Sequence, residues 1–122
     1  MSAWRRKALE SFPDLRREIE DPETSVMQLF FELLPRCRNA HSRGDSEELK
    51  SIYGFADWCA SQKVKELWNA AGVGFYGHLA DSEQTLEAMP RWVRKPIFDD
   101  VAGLLEERVG AERVADIRRR YR

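Results

Sequence analysis

Apolar side chains recur at every third or fourth position along almost the whole chain, and this spacing is the strongest constraint on the fold. The segment from Val64 to Leu79 illustrates it, with Leu67, Ala71 and Phe75 along one face. No segment alternates apolar and polar residues as a half-buried strand does, and no Asn-Gly or Asp-Gly pair marks a hairpin turn. The sequence therefore predicts an all-α protein.

Turn signals divide the chain into blocks of similar length. Gly44 and the Ala80–Asp81 pair separate three blocks of roughly forty residues, each of which has the pattern of a helical hairpin. We expect a single domain over residues 1–122, built from about six to seven helices stacked as antiparallel hairpins. The block length is typical of a short HEAT- or armadillo-like array, and an irregular compact bundle satisfies the same pattern.

Prolines and capping residues predict several helix boundaries. We expect a helix to start at Asp21, which can cap it, with Pro22 in the first turn. Pro35 falls inside the apolar run that follows and predicts a kink or break near Phe31–Leu34. Pro90 predicts the end of, or a kink in, a later helix for the same reason.

Composition and charge argue against several classes of protein. A chain that is 43% hydrophobic, with only 7 glycines and 5 prolines, is too apolar for a disordered segment. Twenty Lys+Arg residues against 21 Asp+Glu leave a charge of -1, which argues against nucleic-acid and membrane partners. The most apolar stretch, Val26–Leu34, is too short to span a bilayer. The first residues lack the apolar core of a signal peptide, so we expect a cytoplasmic location with both cysteines reduced.

Cysteines and histidines are the candidates for metal or catalytic chemistry. Cys37 and His41 lie four residues apart on one predicted helix face, a spacing that suits two ligands of one metal. Cys59 and His78 could complete a four-ligand set, or join nearby acids in an enzyme site assembled by the fold. However, no CxxC or HxxxH element is present and both thiols have apolar neighbours, which favours two buried cysteines. We expect no metal and no cofactor, and keep a small-ligand or metal-dependent enzyme as the alternative.

Residues Gly72–Gly77 match the G-x-G-x-x-G pattern of dinucleotide sites. That chemistry needs a turn between a strand and a helix, whereas Lys65–Ala71, which precede the pattern, are helical in character. Ala70, Gly74 and Gly77 would instead share one helix face. Their small size predicts that a second helix approaches closely there.

Aromatic residues outside the predicted core stripes are candidates for an interaction surface. Trp58 and Tyr76 flank such stripes, and Trp92 lies in an arginine-rich connection. Phe55 flanks a stripe as well, but we expect it to fill the core. Trp68 belongs to a predicted core stripe, and its truncation to alanine would cost on the order of 3–5 kcal/mol if the ring were buried.

The final residues, Arg118–Arg122, carry the densest charge in the chain. Cations at the end of a helix interact favourably with its dipole, which is an ordinary role for such a segment. They could also bind phosphate, so we add Arg118 and Arg119 to the candidate interaction surface. Weak nucleic-acid binding through these arginines is a further alternative function.

Three short segments carry a family resemblance: Phe55-Ala56-Asp57-Trp58-Cys59, Leu67-Trp68-Asn69 and Gly74-Phe75-Tyr76. Over roughly Leu29–Leu79 the chain resembles small uncharacterised bacterial all-helical proteins with a HEAT/armadillo-like fold. Some of these proteins occur in toxin–immunity settings, so the resemblance implies a role in binding a partner and brings no catalytic residues.

The sequence therefore predicts a non-catalytic helical module for protein–protein interaction, of which immunity-type neutralisation is one specific form. The identity of the partner is open. A second copy of the chain, giving a homodimer, is one possibility.

Overall fold

A computed structural model describes residues 1–122, and all of its regular secondary structure is helical. The eight α-helices are α1 (Ala3–Ser11), α2 (Arg16–Glu20), α3 (Val26–Arg43), α4 (Ser46–Ala60), α5 (Lys65–Gly74), α6 (Glu83–Trp92), α7 (Lys95–Val109) and α8 (Ala111–Arg118). Two 3₁₀ segments, Pro13–Leu15 and Tyr76–Asp81, precede α2 and α6. The predicted all-α class is confirmed. The helix count is slightly above the expected six to seven, in part because Pro13 separates α1 from the short α2.

The start of α3 differs from the prediction at Asp21. The helix begins at Val26, and Ser25 is its N-cap. The backbone N–H of Gln28 donates to Ser25 Oγ at 3.1 Å, and the Ser25 N–H donates to Gln28 Oε1 at 2.7 Å. This reciprocal capping box satisfies two amide donors at the start of the helix. Asp21 instead accepts a 2.9 Å hydrogen bond from the N–H of Glu23 in the preceding turn.

Two prolines lie inside helices. α3 continues through Pro35, so the break predicted near Phe31–Leu34 is absent, and α6 continues two residues past Pro90 to Trp92. Pro35 removes the hydrogen bond to the carbonyl of Phe31. Both of these residues are exposed. Water can therefore replace the lost bond while the opposite face of α3 stays packed.

One continuous core of 34 buried apolar residues extends from Trp4 in α1 to Ile117 in α8. α3 lies at its centre and packs against α4, α5 and α6. α5 turns a stripe of small residues toward this core, including Ala70 and Gly74. A Cβ atom added to Gly74 would lie 2.5 Å from Met27 Sδ and 3.6 Å from Phe30 Cβ. α5 and α3 are thus in tight contact at Gly74, as the small residues predict.

Aromatic rings run in contact through the core. Phe30 lies between Phe55 and Phe75, with centroid distances of 5.4 and 5.6 Å. Phe75 in turn contacts Tyr53 at 5.7 Å and Tyr76 at 5.3 Å in edge-on geometry. Such pairs stabilise a core beyond the burial of their area. Phe55 is fully buried, which confirms its predicted place in the core.

The two faces of α5 are not arranged as predicted. Trp68 is 44% exposed and Val64 is 57% exposed, so their assignment to the core is wrong. Leu67, which the sequence also assigns to the core, is buried, together with the small residues of α5 that face α3. The inward face of α5 consists of Leu67, Ala70, Ala71 and Gly74. Trp68 lies about 100° around the helix from Leu67, on the side away from Ala70, and so points outward from that face.

The helix predicted to reach Leu79 ends at Gly74. Phe75 leaves the helical conformation, with φ -130° and ψ -71°, and the chain continues as a 3₁₀ segment. A Cβ atom on Gly77 would lie 3.2 Å from the carbonyl oxygen of Gly72. The small size of Gly77 therefore lets this segment fold back against α5. Each helix is too short or too polar to cross a membrane.

Two glycines make a matched test of the helix boundaries. Gly44 ends α3 with a left-handed φ of 67°, whereas Gly103 lies inside α7, and neither would bring an added Cβ atom within 4 Å of another group. We expect Gly44→Ala to lower the unfolding free energy by about 1 kcal/mol through backbone strain. Gly103→Ala should raise it by about 0.5–1 kcal/mol through helix propensity. Chemical denaturation of both variants measures this, and equal shifts of the same sign would contradict it.

Candidate interaction surface

A groove of about 540 Å³ lies between α5 and α7, and we refer to it as the α5–α7 groove. Seven of its ten lining residues are hydrophobic. The lining consists of Ala60, Trp68, Asn69, Gly72, Val73, Tyr76, Ile97, Asp100, Val101 and Leu104. Ile97, Val101 and Leu104 share one face of α7 because they are spaced by three or four residues.

The apolar part of the groove is open to solvent. Trp68 and Val73 on α5 are each 44% exposed, while Ile97 and Val101 on α7 are buried. A partly exposed tryptophan beside an apolar concave surface is the usual form of a protein-binding anchor. The arrangement can therefore accept apolar side chains from another molecule.

Asp100 is the only charged residue that lines the groove. The neighbouring carboxylate of Asp99 pairs with Lys95 at 2.9 Å and with Arg118 at 3.4 Å, contacts that lower its pKa. Asp100 has no ion-pair partner of this kind. An unpaired carboxylate beside an apolar groove favours a ligand with a cationic group next to its apolar part.

Tyr76 forms a wall of the groove but is only 2% exposed, so the expectation that it is partly exposed is wrong. Its ring is held in the core by Phe75. Burial raises the pKa of the Tyr76 hydroxyl above its ordinary value, so this group stays protonated. Whether Tyr76 contributes to binding remains a prediction.

A second cleft, of about 710 Å³, lies where the connection between α6 and α7 meets the residues after α8, and we refer to it as the basic cleft. Its lining comprises Pro90–Lys95 and Arg120–Arg122, with five cationic side chains and no acidic one. Trp92 lines this cleft and is half-buried, and one side of its ring stacks on Tyr53 at a centroid distance of 5.4 Å. The fold thus brings Trp92 close to the basic end of the chain.

The other predicted interaction residues lie outside both sites. Trp58 is half-buried and stacks on a core phenylalanine at 6.5 Å. Arg118 pairs with Asp99, and Arg119 pairs with Asp116 at 3.3 Å. None of Trp58, Arg118 and Arg119 lines the cleft that contains Trp92.

The cysteines and histidines do not assemble a metal site. No group of three or more His, Cys, Asp and Glu side chains is positioned to hold a metal ion. His78 Nδ1 lies 2.8 Å from Asp81 Oδ2 near the surface. His41 Nε2 shares a 2.8 Å hydrogen bond with the Tyr53 hydroxyl, and the Cys37 thiol lies beside the same hydroxyl. Because Cys37 and His41 lie four residues apart on one face of α3, both side chains reach the Tyr53 hydroxyl and form a polar cluster with it.

Both thiols are buried and no disulfide joins them, which agrees with the predicted burial of two separate cysteines. Burial raises the pKa of Cys37 to about 11, and the nearby Tyr53 hydroxyl opposes only part of that shift. Burial also raises the pKa of Cys59 to about 12. Nucleophilic cysteines need the opposite shift, because the thiolate is the reactive form. The proposed enzyme site therefore gains no support from these side chains.

Two groove residues differ from the sequence prediction: Trp68 is exposed where burial is expected, and Tyr76 is buried where partial exposure is expected. The sequence pattern does not single out Val73. Ala70 and Gly74 provided a usable signal, because the face that packs most closely is the one with the smallest side chains. Placing that small face inward would have turned Trp68 outward.

Thiol reactivity tests the buried state of both cysteines. At about pH 8 we expect native protein to react slowly with a disulfide reagent, since the raised pKa values leave Cys37 and Cys59 almost entirely protonated. In denaturant both should react quickly. A native thiol that reacts at the rate of free cysteine would contradict this account and revive a catalytic role.

The pH dependence of stability tests the cluster around Tyr53. Burial lowers the pKa of His41 below 6.5, so the unfolded chain takes up a proton at higher pH than the folded one. The unfolding free energy of wild type should therefore fall as the pH drops from about 7 to about 5. His41→Gln should show a shallower fall in denaturant titrations. Identical slopes for the two proteins would show that His41 is not responsible.

The chain matches one protein-family model over most of its length. The model describes a domain of unknown function, DUF7674, and matches residues 5–107. The match includes both walls of the α5–α7 groove and stops before Arg120–Arg122 of the basic cleft. No curated protein and no solved structure matches the chain. The chain belongs to the DUF7674 family.

Proposed function

We propose that this chain is a non-catalytic helical module that binds a protein partner through the α5–α7 groove. The observation that carries the proposal is the position of Trp68 and Val73, which expose apolar surface at the rim of an apolar concavity. Scattered exposed apolar residues are common on protein surfaces and need no explanation. Two of them beside one groove are typical of a binding site.

The chemistry of the groove suggests the form of the partner segment. Its α7 wall, from Ile97 to Leu104, spans about two helical turns, which matches the reach of an amphipathic helix that inserts two or three apolar anchors. Asp100 is unpaired beside those apolar residues, so a lysine or arginine of the partner would find an opposite charge there. We therefore expect an amphipathic helix with a basic residue next to its apolar face.

The proposed setting is the bacterial cytoplasm, which suits the two reduced cysteines. Immunity-type neutralisation of a toxin is the specific form that the family resemblance suggests. The resemblance also suggests that the helices form a short HEAT/armadillo-like array. The location, the immunity role and the helical array are all parts of the proposed function.

Site-specific photo-crosslinking tests the groove most directly. A photoreactive amino acid at Val73 should capture a protein in cells, while the same group at Phe31, which is 51% exposed on α3, should not. Mass spectrometry should place the crosslink in a segment with apolar residues and a neighbouring lysine or arginine. Equal capture from both positions, or a captured segment without that pattern, would contradict the proposal.

Substitutions at the same groove measure the strength of binding once the segment is known. If the partner covers the ring, Trp68→Ala should cost at least about 2 kcal/mol of binding free energy, or roughly thirtyfold in Kd. Asp100→Lys should weaken binding through repulsion of the basic residue. Glu107→Lys, which makes the same charge change elsewhere on α7, should not.

Two controls separate binding from folding and from self-association. Trp68→Ala should cost much less stability than Phe75→Ala, because the first ring is 44% exposed and the second fully buried. Sedimentation equilibrium should give a monomer. A dimer that Trp68→Ala dissociates would identify a second copy of the chain as the occupant and overturn the proposed partner.

A further inference from the structure

The basic cleft concentrates positive charge on a chain whose net charge is -1. Arg91 belongs to the last turn of α6, Arg94 to the connection that follows, and Lys95 is the first residue of α7. Arg120 comes from the segment after α8. No acidic side chain lines the cleft. A concave surface of one charge attracts ligands of the opposite charge even on a nearly neutral protein.

The cations of the cleft are available for a ligand. Arg91 makes no ion pair, and its guanidinium lies 6.0 Å from the centroid of the Trp92 ring. Arg94 pairs with Asp57 at 2.6 Å and Lys95 pairs with Asp99 at 2.9 Å. Arg120 pairs with Asp116 at 3.3 Å and lies 3.8 Å from Glu87. Every side chain of these pairs is more than one-third exposed. Exposed ion pairs contribute roughly 0–1 kcal/mol, so an incoming anion can compete for these cations.

Aromatic contacts fix the shape of the cleft. Stacking on Tyr53 holds the Trp92 ring in the wall beside the arginines. The Tyr121 hydroxyl donates a 3.0 Å hydrogen bond to the carbonyl oxygen of Met89, which ties the segment after α8 to α6. Arg120 is therefore held near the residues before α7 by a contact that is independent of any ligand.

We infer that the basic cleft binds the phosphate group of a small organic phosphate. A single carboxylate would neutralise one of these cations, whereas a phosphate monoester carries about −1.5 to −2 charges and three strong acceptor oxygens. Four of the five cationic residues in the lining are arginines, whose planar fork suits phosphate oxygens. Trp92 offers an apolar wall for the rest of the ligand. This inference is independent of the α5–α7 groove.

Titration calorimetry at low ionic strength, with pyrophosphate and ADP as probes, tests this inference. We expect both probes to bind, with affinity that falls as salt is added. Arg91→Glu should weaken binding at least tenfold without the loss of an ion pair. Arg17→Glu makes the same charge change at an exposed arginine of α2 that lies outside the cleft, and it should leave binding nearly unchanged. Circular dichroism checks that both variants fold.

Several outcomes would overturn the inference. Failure of both probes to bind, or equal weakening by Arg17→Glu and Arg91→Glu, would show that the cleft is not a specific anion site. A glutamate-rich peptide can be added at the same concentration of negative charge as ADP. If it displaces ADP, the cleft binds an acidic protein segment instead. A thymidine oligonucleotide distinguishes two sources of the phosphate group. If it binds more tightly than ADP, the ligand of the cleft is a nucleic-acid strand, which overturns the inference. If it binds more weakly, the ligand is a free organic phosphate, as we infer.

Discussion

The close contact between α5 and α3 determines the arrangement of the rest of the molecule. A Cβ atom on Gly74 would lie 2.5 Å from Met27 Sδ, so the Met27 side chain would have to move, and 3.6 Å from Phe30 Cβ. The two helices are therefore in tight contact at this point. Phe75 follows at once and enters the aromatic core against Phe30, which ends α5 and starts the 3₁₀ segment. With the small face of α5 turned inward, Trp68 faces solvent on the side next to α7. The groove is thus a consequence of which face of α5 is smallest.

The start of α7 separates two sites of different chemistry. Ile97 lines the apolar groove, while Lys95, two residues earlier, lines the basic cleft. Arg94, the residue before Lys95, pairs with Asp57 and also donates a hydrogen bond to Ser61, and these contacts connect the start of α7 to the end of α4. The start of α7 therefore contributes to two adjacent sites that favour ligands of opposite charge. An apolar partner with a basic residue suits one site, and an anion suits the other.

The sequence predicts those features that depend on local chemistry. Gly44 and Gly110 end helices with φ values of 67° and 87°, as expected from residues that tolerate positive φ. The burial of Phe55 and of both cysteines likewise follows from apolar spacing alone. Asp21 and Pro22 resemble a helix start signal and so predict too early a start for α3, whereas the reciprocal bonds of the capping box fix the actual start at Val26.

The candidate sites could not be predicted in the same way, because they depend on contacts between distant segments. Leu67 and Trp68 are both apolar neighbours on α5, and only the packing against α3 decides which of them is buried. Arg91 and Arg120 lie far apart in the chain and meet because the segment after α8 folds back toward α6. Residue spacing along one helix carries no information about the contact between α6 and the segment after α8. For α5, the spacing of its small residues does indicate which face packs inward.

The exposure of the Trp68 ring in the free protein is the most direct test of this account. Fluorine NMR of 5-fluorotryptophan-labelled protein gives one resonance for each of the 4 tryptophans, and Trp68→Phe assigns the one of interest. A soluble paramagnetic agent should broaden the Trp68 resonance strongly and leave that of Trp4, which is 8% exposed, nearly unaffected. A Trp68 signal protected as well as that of Trp4 would show that α5 faces the other way and that the groove does not exist.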